Sequence, residues 1–204
     1  MGSTGWCKRT QSLKTDEELI VATIAANPAL VSIDSPLSVP QSHGNPGAPV
    51  YRKCELALKR MGISVFWCLL PTMEMLTRRG IRLANELRRQ GLQVIESYPG
   101  AAQDILGIPG KGASLDELKR ELVRAGITGD FATAKVTHDE VDAITSALVG
   151  LFYLADDYIA LGTPSEDYLI VPHSLKFNYL RLAKIALDSG LDMVSECAPL
   201  RPGQ

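Results

Sequence analysis

The stretch Leu30 to Pro40 reads L-V-S-I-D-S-P-L-S-V-P, and it decides how the rest of the chain is interpreted. Its opening residues make a short, mainly apolar run rich in β-branched side chains, which is typical of a buried strand. The run ends at Asp34, because Pro36 follows closely and proline has no N–H to donate to a sheet. The stretch therefore predicts a core strand with a carboxylate at its carboxyl end, where open α/β sheets form their sites. The alternative is that Asp34 only caps a turn at the strand exit.

Composition sets the broad class of the protein. The chain has 204 residues, of which 46% are hydrophobic and 22% charged, values typical of one globular domain with a sizeable core. Its formal net charge of −2 excludes nucleic-acid binding through bulk positive charge, but it leaves room for a local basic groove. No apolar run approaches the roughly 20 residues that a membrane span needs, and the amino terminus lacks an apolar signal stretch, so we expect a cytoplasmic protein with no membrane partner.

The four cysteines are scattered and show no C-x-x-C spacing. Zinc-ribbon and disulfide-framework proteins are therefore disfavoured, and reduced thiols are expected.

Capping residues, prolines and glycines along the chain predict alternating helices and strands. Thr15 and Asn27 bracket a first helix, residues 38–49 form a loop rich in Pro and Gly, and residues 73–90 hold a long amphipathic helix. A second core strand, residues 92–96, ends on Glu96. The alternation predicts an α/β fold over residues 1–172, with a C-terminal helix and tail over residues 173–204.

The segment T-H-D-E-V-D starting at Thr137 holds the second acidic cluster. Thr137 and Glu140 form a capping box, so a helix is predicted to begin here. Asp139 and Asp142 are three residues apart and share one face near the positive end of that helix. The alternative is that both are surface acids that only complement the helix dipole.

Several basic residues are candidate phosphate contacts. Arg52 either faces the Asp34 site or pairs with Glu55, and Lys111 lies in a tight I-P-G-K-G loop suited to a phosphate. His138 stands beside Asp139 and is a candidate for proton transfer or phosphate contact, or simply a helix-start residue. Five arginines decorate the long helix, and a solvated face is favoured there over a nucleic-acid surface: Arg78, Arg79, Arg82, Arg88 and Arg89.

The acids suggest one kind of chemistry. Asp34, Glu96, Asp139 and Asp142 all stand at predicted element ends, and oxygen-only ligands suit hard cations such as Mg²⁺ or Mn²⁺. If these carboxylates share a site, a cation is expected to neutralise them. Carboxylates that hold such ions are the usual apparatus for phosphodiester hydrolysis.

Four motifs in this order resemble the family known as domain of unknown function 429: V-S-I-D-S-P-L-S-V-P, Y-R-K-C-E, V-I-E-S-Y-P-G-A-A and T-H-D-E-V-D-A-I. The resemblance runs from about Gly5 to Pro172. That family is regarded as a predicted nuclease of the ribonuclease H-like superfamily, whose fold is a mixed sheet flanked by helices.

The resemblance implies a role for each matched residue. Asp34, Asp139 and Asp142 match acids that would bind Mg²⁺ or Mn²⁺ and act in catalysis, and Glu96 matches the acid of the E-x-Y-P strand end. Arg52 and Lys111 match positions where the family tends to be basic, and nucleic acid is the implied partner.

One departure from the family accompanies these matches. The family opens with a strand of the form G-I-D-x-A that supplies the first acid, and this chain has no aspartate before Asp16. We therefore expect a ribonuclease H-like sheet that lacks its first strand, in an N-terminally shortened domain. The same departure keeps a second hypothesis open, a catalytically inactive binding or scaffold protein of the same fold.

Overall fold

A computed structural model describes residues 5–7, 9–41, 43–110 and 112–173. Within them the helices are α1 (Asp16–Ala26), α2 (Lys53–Arg60), α3 (Pro71–Arg89), α4 (Pro99–Leu106), α5 (Leu115–Arg124) and α6 (His138–Leu154). The strands are β1 (Gly5–Cys7), β2 (Val31–Asp34), β3 (Val94–Ser97), β4 (Ile127–Gly129), β5 (Tyr158–Gly162) and β6 (Tyr168–Pro172). Two short 3-10 helices cover Asp130–Ala132 and Pro164–Glu166.

The main sheet has four strands in the order β2-β3-β6-β5. β2, β3 and β6 are parallel, and β5 runs antiparallel to β6. The predicted α/β class, with a mixed sheet flanked by helices, is therefore confirmed. β1 pairs with β4 in a separate two-stranded sheet, so no strand of the described ranges pairs with the outer edge of β2.

Local signals fixed several element ends as predicted. Thr15 and Thr137 are N-caps of α1 and α6, and each belongs to a complete capping box. Asn27 ends α1 in the left-handed conformation, with φ of 45°.

Three elements were not predicted from the sequence. They are the short strands β4 and β5 and helix α4, which begins at Pro99. The sequence Y-P-G-A-A predicts only that a strand ends at Tyr98-Pro99, but proline is equally well suited to the first position of a helix.

Helix α6 is the centre of the molecule. Ten of its 17 residues are buried. Val149 packs with Ile95 and Ile170 on the main sheet, whereas Ile144 and Leu148 belong to a larger cluster with α5 and β4. An apolar pattern on all sides of a helix is expected when it lies between two layers.

The direction of α6 brings its first turns to the carboxyl end of the sheet. Near its C terminus, Tyr153 packs against the same apolar cluster as Leu30, which precedes β2. It also accepts a hydrogen bond from Gln93, which precedes β3. Because α6 runs antiparallel to these strands, its amino-terminal end lies where they finish. Asp34 and the start of α6 are thus placed at the same end of the sheet.

Two further predictions concern the C-terminal segment and membrane spans. Apart from His173, the predicted C-terminal helix and tail, residues 173–204, lie outside them. Inside them, every helix is too short or too polar to cross a membrane.

Candidate functional site

A polar seam lies between α6 and the carboxyl ends of β2 and β3. Residues Ser32 and Asp34 of β2 stand in register with Ile95 and Ser97 of β3, so all four side chains face the same side of the sheet. That side is covered by α6, because Ile95 packs with Val149 of this helix. We call the following residues the polar seam: Ser32, Asp34, Ser97, Gln103, Asp142 and Ser146.

The helix residues of the seam follow one row of α6. A Cβ on Gly150 would lie 3.7 Å from Ser32 Cβ, which places this part of α6 directly on β2. Ser146 and Asp142 are one and two turns nearer the helix start, and side chains four residues apart share a face. One helical turn and two strand residues each advance about 5–7 Å, so Ser146 is level with Asp34 and Ser97.

Asp142 is the carboxylate that the fold holds inside. Its side chain is 5% exposed, and Gln103 Nε2 of α4 donates to its Oδ1 at 3.2 Å. Asp139, one turn earlier on α6, is exposed, and so is Asp34 at the end of β2. The three predicted metal ligands thus share one end of the sheet but differ sharply in exposure.

Four buried side-chain atoms in the described part of the chain have no hydrogen-bond partner, and all four belong to the polar seam. They are Ser32 Oγ, Ser97 Oγ, Gln103 Oε1 and Ser146 Oγ. Buried polar atoms in proteins are normally paired, and leaving one unpaired costs about 1–3 kcal/mol. Gln103 contacts Asp142, and the three serine oxygens are distributed along the rest of the seam.

The acids of the seam do not form a complete metal cage. Across the described residues, no group of three His, Cys, Asp or Glu side chains is arranged to hold a metal ion. Asp34, Asp139 and Asp142 are therefore not gathered into a three-ligand cluster. Any cation in the seam would combine one or two carboxylates with neutral oxygens.

Glu96, the fourth predicted acid, points to the opposite side of the sheet. It is in register with Ile33, whereas its neighbour Ser97 is in register with Asp34. Successive residues of a strand face opposite sides, so Glu96 cannot join Asp34 in the seam. The structure places it in a buried ion pair instead.

That ion pair involves Arg52. The guanidinium donates to both Glu96 oxygens, at 2.8 and 2.7 Å, and its Nε donates to Glu55 at 3.0 Å. Arg52 and Glu96 are both about 3% exposed. Burial acts to lower the pKa of Arg52, but the Glu96 carboxylate outweighs it and holds this pKa well above its ordinary value. Of the two alternatives for Arg52, pairing with Glu55 is the one that the structure shows.

Buried carboxylates also hold the loop that follows Asp34, by accepting hydrogen bonds from its backbone. The Leu37 N–H donates to Glu96 at 2.7 Å. Farther along, Glu166 accepts the N–H groups of Gln41 at 2.8 Å and Lys53 at 2.6 Å, so one buried carboxylate holds both ends of residues 41–53. Carboxylates that accept backbone N–H groups make strong, charge-assisted hydrogen bonds.

The two buried cysteines beside this network, Cys54 and Cys68, are poor nucleophiles. Burial raises the pKa values of Cys54 and Cys68 to about 12. A thiol with such a pKa stays protonated and unreactive at neutral pH.

The remaining predicted contacts divide into three groups. His138 is exposed as the first residue of α6, and Lys111 lies outside the described residues. The α3 arginines all pair with carboxylates, as expected for a solvated face: Arg78 with Glu74, Arg79 and Arg82 with Asp16, Arg88 with Asp167, and Arg89 with Glu86.

Sequence reasoning missed five residues of these two sites: Ser32, Ser97, Gln103, Ser146 and Glu166. Ser146 carried a usable signal, because it is four residues after Asp142 and therefore on the same helix face. Ser97 also did, as the polar residue at the very end of a strand. Gln103 and Glu166 carried none, since their partners lie far away along the chain.

Comparison of the chain with models of known protein families, with curated proteins and with solved structures yields no match.

Proposed function

We propose that this protein is a metal-dependent phosphodiester hydrolase of ribonuclease H-like fold, with its site in the polar seam. The observation that carries the proposal is the Asp142 carboxylate, which is buried beside Gln103 in a seam where four buried oxygens have no hydrogen-bond partner. Such a purely oxygen donor set suits Mg²⁺ or Mn²⁺ and not zinc. The four motifs that resemble domain of unknown function 429 are consistent with the same chemistry.

The residues of the seam and of the start of α6 would have different roles in such a site. Asp142, held in place by Gln103, and Asp34 at the strand end are the ligands proposed for the cation, with Asp139 at the solvent side. A bound divalent ion would supply an activated water and stabilise the leaving oxygen. His138 and the positive end of the α6 dipole would hold a phosphate there, because this helix end carries partial positive charge.

A non-catalytic scaffold of the same fold is the second candidate. It is favoured by the missing three-acid cluster in the described residues and by the burial of Glu96 in an ion pair with Arg52. On this hypothesis the unpaired seam oxygens bind ordered water, as buried polar atoms often do.

Calorimetric titration of Mn²⁺ into the full chain separates the two candidates. The hydrolase hypothesis expects stoichiometric binding that weakens at least about tenfold in Asp142→Asn and in Asp34→Asn, because each change removes a charged ligand. Asp104→Asn is the matched control, since Asp104 is exposed and lies next to Gln103 on α4. Urea midpoints of all variants establish that each is folded.

Mn²⁺ binding that is absent in the wild type, or equal in Asp142→Asn and wild type, would reject the metal site and favour the scaffold. If binding follows the expected pattern, cleavage of fluorescently quenched DNA and RNA oligonucleotides is measured next. Cleavage that needs Mg²⁺ or Mn²⁺ and is lost in Asp142→Asn would establish the activity.

A further inference from the structure

The chain that leaves β2 packs on the side of the sheet opposite to the polar seam. Leu37 is 4% exposed and belongs to an apolar cluster with residues of α3. Ser35 is 3% exposed, and its hydroxyl donates to the Leu76 carbonyl of α3 at 3.2 Å. We call residues 35–38 the exit segment, because they follow Asp34 directly.

Helix α3 lies so close to the exit segment that its position 80 has room only for glycine. A Cβ on Gly80 would lie 2.8 Å from the Ser35 Cβ and 3.0 Å from the Pro36 carbonyl oxygen. Nonbonded carbon atoms prefer separations of roughly 3.5–4.0 Å. The backbone of the exit segment is therefore in direct contact with α3 and is fixed from that side.

The Glu96 carboxylate holds the exit segment from a second direction. Its Oε2 accepts the Leu37 N–H at 2.7 Å and the Arg52 Nη1 at 2.8 Å. The same Arg52 nitrogen donates to Ser38 Oγ at 3.1 Å. Hydrogen bonds to a buried carboxylate are charge-assisted and strong, so this network restrains the chain three and four residues after Asp34.

From these contacts we propose that Glu96 is a positioning residue for Asp34. Glu96 lies on the other face of the sheet and acts through the Leu37 N–H and the exit segment, without contact with a metal ion. Groups that hold a metal ligand in place commonly change metal affinity by roughly 10–100-fold. The inference rests on the proposed function, and it gives Glu96 a role other than the catalytic one that the sequence predicted.

Two double variants of the full chain test this role. Arg52→Met/Glu96→Gln keeps a side-chain oxygen that can accept the Leu37 N–H, whereas Arg52→Met/Glu96→Leu removes it. Both variants lose the same two charges, and urea midpoints establish that both are folded. In calorimetric titration, Mn²⁺ is expected to bind the leucine variant at least about tenfold more weakly than the glutamine variant.

Two measurements in EDTA test the same role without a metal. The Leu37 amide is expected to exchange its hydrogen at least about tenfold faster in the leucine variant than in the glutamine variant. The Leu92 amide is the matched control, because it donates to the Leu87 carbonyl at 3.1 Å and should exchange equally in both. The ¹³C NMR signal of the Asp34 carboxyl should move from its wild-type position only in the leucine variant.

The outcomes separate this inference from the proposed function. Equal Mn²⁺ affinities in the two double variants would overturn the positioning role, as would equal exchange of the Leu37 amide. Absence of Mn²⁺ binding in the wild type would reject the hydrolase. In that case the Leu37 exchange and the Asp34 signal still decide whether Glu96 sets the position of Asp34.

Discussion

Replacing Arg52 with methionine tests whether the Arg52–Glu96 pair holds the fold or belongs to a site. The guanidinium makes three hydrogen bonds of 2.7–3.0 Å to Glu96 and Glu55, and the three side chains are each at most 3% exposed. In Arg52→Met the two carboxylates stay buried without their cation. Breaking a buried pair in this way costs about 3–5 kcal/mol, a large part of the roughly 5–15 kcal/mol that stabilises a domain.

Urea unfolding followed by circular dichroism measures the loss. With a urea dependence of roughly 2–3 kcal/mol per molar, the midpoint of Arg52→Met is expected to fall by about 1–2 M. Arg78→Met is the matched control, because its side chain is 65% exposed and pairs with Glu74 in solvent. Removing an exposed pair costs about 1 kcal/mol or less.

Adding Glu96→Leu to Arg52→Met should recover part of the lost stability, since one uncompensated charge then leaves the interior. A midpoint for Arg52→Met no lower than that of Arg78→Met would refute the reasoning. The predicted roles of Arg52 in phosphate binding and of Glu96 in catalysis would then regain weight.

Two further predictions concern α3 and its contacts. Gly80→Ala should lower the free energy of unfolding by about 1–3 kcal/mol, because the new Cβ would lie 2.3 Å from Ser35 Oγ and 3.0 Å from the Pro36 carbonyl oxygen. Gly150→Ala, whose closest contact would be 3.4 Å, is the control, and equal urea midpoints for the two would contradict the close packing. Burial acts to raise the pKa of Asp16, but hydrogen bonds from Arg82 and Arg79 outweigh it and lower this pKa below 3.8. The stability that ionised Asp16 contributes is thus present above about pH 4 and is lost as pH falls through the lowered pKa. Unfolding measured across this range should show wild type and Asp16→Asn converging in acid, and a constant difference would contradict the assignment.

Features set by neighbouring residues could be predicted from the sequence. Pro36 stops β2 soon after Asp34, and the capping box of Thr137 and Glu140 starts α6, because both signals act within a few residues. The buried network could not be predicted in the same way. Glu166 accepts an N–H from Gln41, 125 residues earlier, and no local pattern indicates that contact.

Glu96 illustrates how far an acid-then-proline pattern can be trusted. Both Asp34 and Glu96 end apolar runs that a proline terminates, and the pattern alone makes them equivalent. The parallel register separates them, because Asp34 is level with Ser97, and Glu96, one residue earlier, faces Arg52 on the other side of the sheet. A shift of one residue in a strand exchanges the two faces, and sequence spacing does not resolve it.

The position of Ser97, and not Glu96, beside Asp34 affects the proposed chemistry. With Ser97 in place of a carboxylate beside Asp34, the seam has fewer negative charges than the four acids of the sequence suggested. Mg²⁺ nevertheless commonly binds through one or two protein carboxylates and takes its other ligands from water and substrate phosphates. On the proposed function, the phosphate of the substrate would complete the set of oxygens that Asp34 and Asp142 begin. A seam poor in charge is therefore compatible with a cation that Asp34 and Asp142 hold and that water completes until substrate arrives, so Mn²⁺ binding without substrate is still expected.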